Sequence, residues 1–180
     1  MRKLLILFII LIPNTSFSNE KFVNYLKEGK KIIFMRHALA PGTADPKNFN
    51  INDCSTQRNL NEEGRSQSKR IGIFFKNKNI KIDKVLSSEW CRCKDTANIA
   101  FGNFQTFSAL NSFYEARFAK NKSKQIKELK NFLNNWEGDS NLIIVTHFVV
   151  ISELLNKGTS SGEMILTDKK LTILGNLEIN

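Results

Sequence analysis

The chain of 180 residues holds only two histidines, three cysteines and three prolines, and sets 17 acidic residues against 27 Lys and Arg. So few cysteines exclude a disulfide-dense miniprotein. Three prolines and nine glycines exclude a collagen-like repeat or a Pro-rich linker. No C-x-x-C occurs and neither histidine has the spacing of a ligand pair, so no metal site is expected. Internal repeats and low-complexity stretches are missing. Basic and aromatic residues do not interleave in the manner of a single-strand binder, so nucleic acid is not an expected partner. What the chain does have is 41% hydrophobic residues, with 14 Phe among them, enough for one packed domain. The formal charge of +10 favours an anionic partner without naming one.

Arg2 and Lys3 precede an unbroken apolar run from Leu4 to Ile12. Pro13 ends it, and Ser16-Phe17-Ser18 follows with small residues two apart. A basic start, a short apolar middle and a small-x-small exit describe a secretory signal at residues 1–18, cleaved near Ser18. The run is too short for a membrane span, which needs about 20 residues. An uncleaved anchor or a buried strand is the alternative. Cleavage leaves residues 19–180 as a single exported domain, expected in the periplasm, with no stable membrane span. Loss of Arg2 and Lys3 takes the formal charge from +10 to +8.

Export permits a disulfide. Cys91 and Cys93 lie two apart on an expected helix and are badly placed to pair with each other. Cys54 with Cys91 or Cys93 is the expected bridge, with one thiol left over; three buried thiols is the alternative.

Hydropathy patterning alternates strands with helices. Ile32–Met35, Ile82–Leu86 and Leu142–Val145 read as buried strands, and Phe104–Leu110 as a short one. Pro41 to Asp53 is a Gly/Pro/Asn/Asp-rich loop. Asn61 caps an expected helix over about Glu62–Lys76. Ser87 or Ser88 caps another that carries Trp90, Ala97 and Phe101. Ile126, Leu129, Leu133 and Trp136 mark an amphipathic helix ended by Gly138, and Val149–Asn156 a short one closed by Gly158. Glu163–Leu166 and Leu171–Leu174 flank Asp168-Lys169-Lys170 as a terminal hairpin. The expectation is an α/β three-layer sandwich: a mostly parallel central sheet, helices on both faces, and a C-terminal antiparallel hairpin.

Both histidines sit just past a strand, His37 after Arg36 and His147 after Thr146. In open α/β sheets ligands bind at the carboxyl ends of strands, so two imidazoles 110 positions apart can share one crevice. Arg36 adjoins His37, and Arg92 falls in the first turn of the helix after Ser87-Ser88. Guanidinium groups there suit a dianionic phosphoryl group, whose oxygens they meet bidentately.

The run Phe34-Met35-Arg36-His37-Ala38, then Leu60-Asn61-Glu62-Glu63-Gly64-Arg65-Ser66-Gln67, then Ser88, Arg92, Thr96 and Ala97, then Thr146-His147 resembles the histidine phosphatase superfamily, in its phosphoglycerate-mutase-like branch. Four elements in order cover about residues 31–150. Asp53 to Leu60, Trp90 to Cys93 and Ser161 to Glu163 look like a small exported subgroup. Ala38 stands where the family has Gly. Between Arg92 and Glu115 lie 22 residues, little room for the insertion mutases carry there.

The resemblance implies an exported phosphomonoesterase with His37 as nucleophile and a phosphohistidine intermediate. Arg36, Arg92 and His147 bind the phosphoryl oxygens, and Glu115 protonates the leaving group, with Asp53 and Glu163 as alternatives. Arg58 contacts the substrate or makes a structural ion pair. No cofactor is implied. The substrate is a phosphorylated small molecule or an envelope component. A phosphoglycerate-type mutase and a non-catalytic phosphate- or polyanion-binding protein are the other readings.

Overall fold

The computed structural model describes residues 15–179, so the basic start and apolar run of the expected signal lie outside the described residues. Helix α1 (Thr15–Glu28) spans the expected cleavage point at Ser18. Five-residue β1 (Ile32–Arg36) follows, then α2 (Glu62–Asn77), β2 (Ile82–Ser87), α3 (Cys91–Phe101) and the two-residue β3 (Gln105–Thr106). A short α4 (Ala116–Ala119) and a longer α5 (Lys122–Asn135) lead to β4 (Asn141–Thr146). The chain closes with α6 (Phe148–Leu155), β5 (Met164–Thr167) and β6 (Ile173–Leu177).

The strands form one six-stranded sheet in the order β3-β2-β4-β1-β5-β6. The first four are parallel; β5 runs antiparallel to β1, and β6 antiparallel to β5. Side chains alternate across a strand, and here both faces are buried. Ile33 and Met35 of β1, with Ile143 and Val145 of β4, pack against Phe22 and Leu26 of α1, Ile71 and Phe75 of α2, and Ala97 of α3. Ile32, Phe34, Leu142 and Ile144 face the opposite way, onto Leu129 and Leu133 of α5 and Val150 and Ile151 of α6. A strand covered on both faces needs the continuous apolar runs the sequence shows, and the result is the three-layer α/β architecture with its C-terminal hairpin. Among the described residues, no helix is long and apolar enough to cross a membrane.

Five local expectations are corrected, two of them boundaries: α5 ends at Asn135 with Trp136 as its cap, short of Gly138, and the last strand is Ile173–Leu177 rather than Leu171–Leu174. Only Gln105–Thr106 of the Phe104–Leu110 run pairs as strand, because Ser108–Leu110 turns into a 3₁₀ helix that buries Ala109 and Leu110. Helix α3 begins after Trp90, which has no side-chain cap bond; the Ser88 hydroxyl reaches only as far as the Trp90 N–H, at 3.3 Å, and is shared with Asn111 and His147. Helix α6 closes on Asn156, in the left-handed conformation at φ 51°, rather than on Gly158.

Candidate active site

Register decides where the two histidines meet. Arg36 pairs with Thr146 across the parallel β1–β4 ladder, so the next residues, His37 and His147, leave the sheet side by side. Their ring centroids lie 5.5 Å apart. On the other side of β4, strand β2 ends at Ser87, which delivers Ser88 and the start of α3 to the same edge.

His37 is 2% exposed, and its Nδ1–H donates to the Ala38 carbonyl at 2.8 Å. A carbonyl only accepts, so the proton resides on Nδ1 and Nε2 keeps its lone pair. That carbonyl is itself held: the Ala38 N–H donates to Thr96 Oγ1 at 3.0 Å, and Thr96 donates to the Arg92 carbonyl. Ala38 has no positive φ, so a Cβ is tolerated there. Burial, then the Arg92 charge, push the His37 pKa well below 6.5, which keeps the ring neutral.

The Gly64 and Gln67 pair acts on the same loop. A Cβ at Gly64 would collide with the Leu39 carbonyl oxygen. Gln67 Oε1 accepts the Leu39 N–H, and its Nε2 donates to the Ser161 carbonyl. These residues clamp the chain just past His37.

His147 is equally buried. The Ser88 hydroxyl donates to Asn111 Oδ1 at 3.0 Å, so it accepts the His147 Nε2–H at 2.9 Å. Burial and Arg92 depress this pKa as well. The Cys93 Sγ lies 3.5 Å from the same nitrogen; burial raises its pKa to about 12, making it an inert thiol.

A narrow pocket is lined by His37, His147, Arg92, Arg58 and Glu115 together with Thr43, Asp45, Ser112, Tyr114 and Phe148. Arg36 stands beside it, its guanidinium over the Phe148 ring at 5.4 Å and its Nη1 on the Thr159 carbonyl at 2.8 Å. Arg58 Nη1 donates to the Ala40 carbonyl. Its pKa falls to about 10, through burial and then the Arg92 charge. Arg36, Arg58 and Arg92 each have a buried Nε–H with no acceptor among the described residues, a feature they share with Arg70 on α2. A buried donor without an acceptor is costly, and three around one pocket fit an anion with several oxygens.

Of the three carboxylates considered for proton donation, only Glu115 reaches the pocket. Its Oε1 accepts the Asp45 N–H at 3.1 Å and its Oε2 pairs with Arg117 at 2.8 Å. Asp53 caps the 3₁₀ turn Cys54–Thr56, and Glu163 is buried between Ser160 N and Asn176 Nδ2.

Sequence reasoning missed Asp45, whose carboxylate forms a buried ion pair with Arg92 at 2.9 Å. It also missed Gln57, whose Oε1 accepts the Cys91 N–H at the start of α3. Nothing in a Gly/Pro/Asn/Asp-rich loop singles out one Asp. The order Cys54…Gln57-Arg58 opposite Cys91-Arg92 was the available signal for Gln57. The bridge joins Cys54 to Cys91, and Cys93 is a buried free thiol. Among the described residues, no group of three His, Cys, Asp or Glu is arranged to hold a metal.

A cavity of about 670 Å³, with Phe49, Trp90 and Phe118 in its lining, lies to one side of this chemistry and has Ser112 in common with the pocket.

No curated protein matches the chain. Among solved structures, the protein histidine phosphatase SixA complexed with tungstate superposes with a TM-score of 0.60 at 15% identity, over 82% of this chain and 96% of that one. The putative phosphohistidine phosphatase SixA from Agrobacterium tumefaciens gives 0.56 at 18% identity, over 84% and 99%. TTHB049 from Thermus thermophilus gives 0.59 at 14% identity, over 82% and 98%. At such identities the likeness bears on the fold. The sequence profile of the histidine phosphatase superfamily (branch 1) matches residues 32–141, from the first residue of β1 to the first of β4. With more than half its length matched, the chain belongs to the histidine phosphatase superfamily, branch 1, and is a phosphatase.

Proposed function

We propose that the protein is an exported phosphomonoesterase that works through a phosphohistidine on His37. The observation that carries this reading is the neutral, oriented His37 ring, with Nε2 bearing its lone pair beside three arginines whose Nε–H groups lack acceptors. Nε2 attacks phosphorus, the P–O bond to the leaving group breaks, and its electrons stay on the departing oxygen. Arg36, Arg92 and Arg58 hold the equatorial oxygens, where fixed charge lowers the barrier most. A dianion there offsets the arginine repulsion and raises the His147 pKa, so His147 takes up a second proton, on Nδ1, and becomes a cation. Substrate entry opens the Glu115–Arg117 pair, Glu115 takes up a proton from solvent, and it hands that proton to the leaving oxygen. Water then attacks the phosphohistidine and gives a proton to the Glu115 carboxylate, while the N–P electrons return to Nε2.

Export is supported by the basic and apolar start of the chain and by the Cys54–Cys91 bridge, which an oxidising compartment preserves. The substrate side of the pocket, with Tyr114 half exposed at its rim, suits a small phosphorylated molecule or an envelope component.

The test is turnover of p-nitrophenyl phosphate by purified protein, with acid-labile, base-stable ³²P trapped on His37. Loss of both in His37→Ala, with phosphate still bound, supports the reading. Phosphate binding by the wild type without turnover, across esters and a phosphohistidine peptide, favours a non-catalytic binder. Isomerisation of phosphoglycerate favours a mutase. N-terminal sequencing of protein from a fractionated cell tests the leader.

A further inference from the structure

The Asp45–Arg92 pair is unusual for a phosphate site, because a carboxylate occupies an arginine that ought to meet an anion. The carboxylate is almost wholly buried, its side chain 3% exposed, and Arg92's is 4% exposed. Burial adds to the cost of any charge left without a partner. Two roles fit a pair of this kind. Asp45 either competes with phosphate for Arg92 and must be expelled, or it anchors Arg92 and stays.

The hydrogen bonds separate the two. Asp45 Oδ1 accepts from Arg92 Nη1 at 2.9 Å and from the Arg58 backbone N–H at 2.9 Å. Oδ2 accepts from Arg92 Nη2 at 3.2 Å and from Trp90 Nε1 at 3.0 Å. The Asp45 main chain is held too, its N–H by Glu115 and its carbonyl by Arg117. Expelling the carboxylate would strand the buried Trp90 N–H and break the loop's other ties. The charged form is favoured by Arg92, Arg58 N and Trp90 Nε1 against the opposing effect of burial.

Arg92 complements this. Its Nη1 is used by Asp45 and by the Arg58 carbonyl at 3.3 Å, and one proton of Nη2 by Asp45. Its Nε has no acceptor among the described residues. A guanidinium is planar and rigid, so fixing its end edge fixes where its side edge points.

We propose that Asp45 is a positioning residue for phosphoryl transfer: it grips the end edge of Arg92 so that the donors it leaves over, on Nε and Nη2, are already oriented when a phosphoryl group enters. This rests on the phosphatase reading above. Preorganised donors stabilise transition-state charge without reorganising as it develops, so the gain falls on kcat more than on KM.

Asp45→Asn keeps the shape and removes the charge. With p-nitrophenyl phosphate, it lowers kcat by about 10²-fold while KM moves by less than about threefold. In an Arg92→Ala background the same substitution costs less than about threefold more, because the group it orients is gone. Asp45→Glu recovers part of kcat. Equal losses in both backgrounds would show a purely structural role and overturn the proposal. A faster or tighter-binding Asp45→Asn enzyme would overturn it in favour of competition.

Should Asp45→Asn not fold, wild-type protein still decides. The ¹⁵N resonance of Arg92 Nε, assigned by its loss in Arg92→Lys, shifts on titration with inorganic phosphate. Phosphate that binds without moving that resonance overturns the proposal. If no ester is turned over but the resonance moves in the wild type and fails to move in Asp45→Glu that still binds phosphate, the phosphatase reading fails and the anchoring of Arg92 stands.

Discussion

The strand ends and the 41–58 loop meet at one pocket and are built by different means. At the strand ends, backbone ladders do the placing. Arg36 and Thr146 are register partners, and the β1 and β4 side chains behind them are fully buried. His37 and His147 therefore inherit their positions from the most rigid part of the molecule. The loop has no ladder of that kind. It is held by the Cys54–Cys91 bridge, by Gln57 on the Cys91 N–H, and by Asp45 on Arg92, Trp90 and Arg58. The comparison teaches that His37, the proposed nucleophile, sits on a scaffold of hydrophobic origin, while Arg58 sits on one stapled by a covalent bond and a buried charge. Loss of a strand-end residue should remove chemistry and leave the fold. Loss of a loop staple should loosen both.

The largest effect is expected at His37. His37→Ala should lower kcat for p-nitrophenyl phosphate by about 10⁴-fold or more, since it removes the group proposed to form the intermediate, with phosphate binding kept in calorimetry. Residual turnover near the wild-type rate would break the comparison at its rigid side. Arg58→Ala should come next, at about 10²-fold in kcat/KM, the scale for one preorganised donor. A change below about twofold would make Arg58 a structural residue and confine catalysis to the strand ends and α3.

The staple itself is tested by Cys54→Ser with Cys91→Ser. The bridge joins residues 37 apart, for which loop-closure entropy amounts to about 3–4 kcal/mol. A denaturant melt should show that loss, and kcat/KM should fall with it because Arg58 and Arg92 lose their common anchor. Unchanged stability would mean that Gln57 and Asp45 hold the loop unaided.

The smallest and most diffuse effect is on acid stability. His37 and His147 have folded-state pKa values well below 6.5, so below that pH the unfolded chain binds more protons than the native one. Stability should therefore be full above about pH 6.5 and fall as pH drops beneath it, down to the depressed folded values. Added phosphate raises both pKa values and should blunt the decline. Melting curves at stepped pH, with and without phosphate, check this; a flat profile would mean the rings titrate normally.

Much of this is legible in the chain alone. Ile32–Met35 and Leu142–Val145 are continuous apolar runs because both faces of their strands are covered, and the histidines past them lie at carboxyl ends. Asn61 caps its helix because its side chain reaches the Gly64 N–H, a local event. The 3₁₀ turn at Ser108–Leu110 is not legible, since it answers to burial of Ala109 and Leu110 and to Gln125 reaching the Ser108 and Asn111 carbonyls. Ser88 reads as a cap and instead serves His147, a choice made by a residue 59 positions away.

Local order and short-range chemistry, then, were written into the chain: its hydropathy periods, its helix starts, the Arg-His pair and the spacing of Ser88, Arg92 and Thr96. Each depends on neighbours within a turn or two, or on a pattern of alternation. Which cysteine joins Cys54, why Asp45 is charged and buried, and which nitrogens of Arg92 that carboxylate takes were decided by tertiary packing. Those outcomes depend on contacts between segments 37 to 47 residues apart, whose geometry exists only once the sheet has brought its strand ends together.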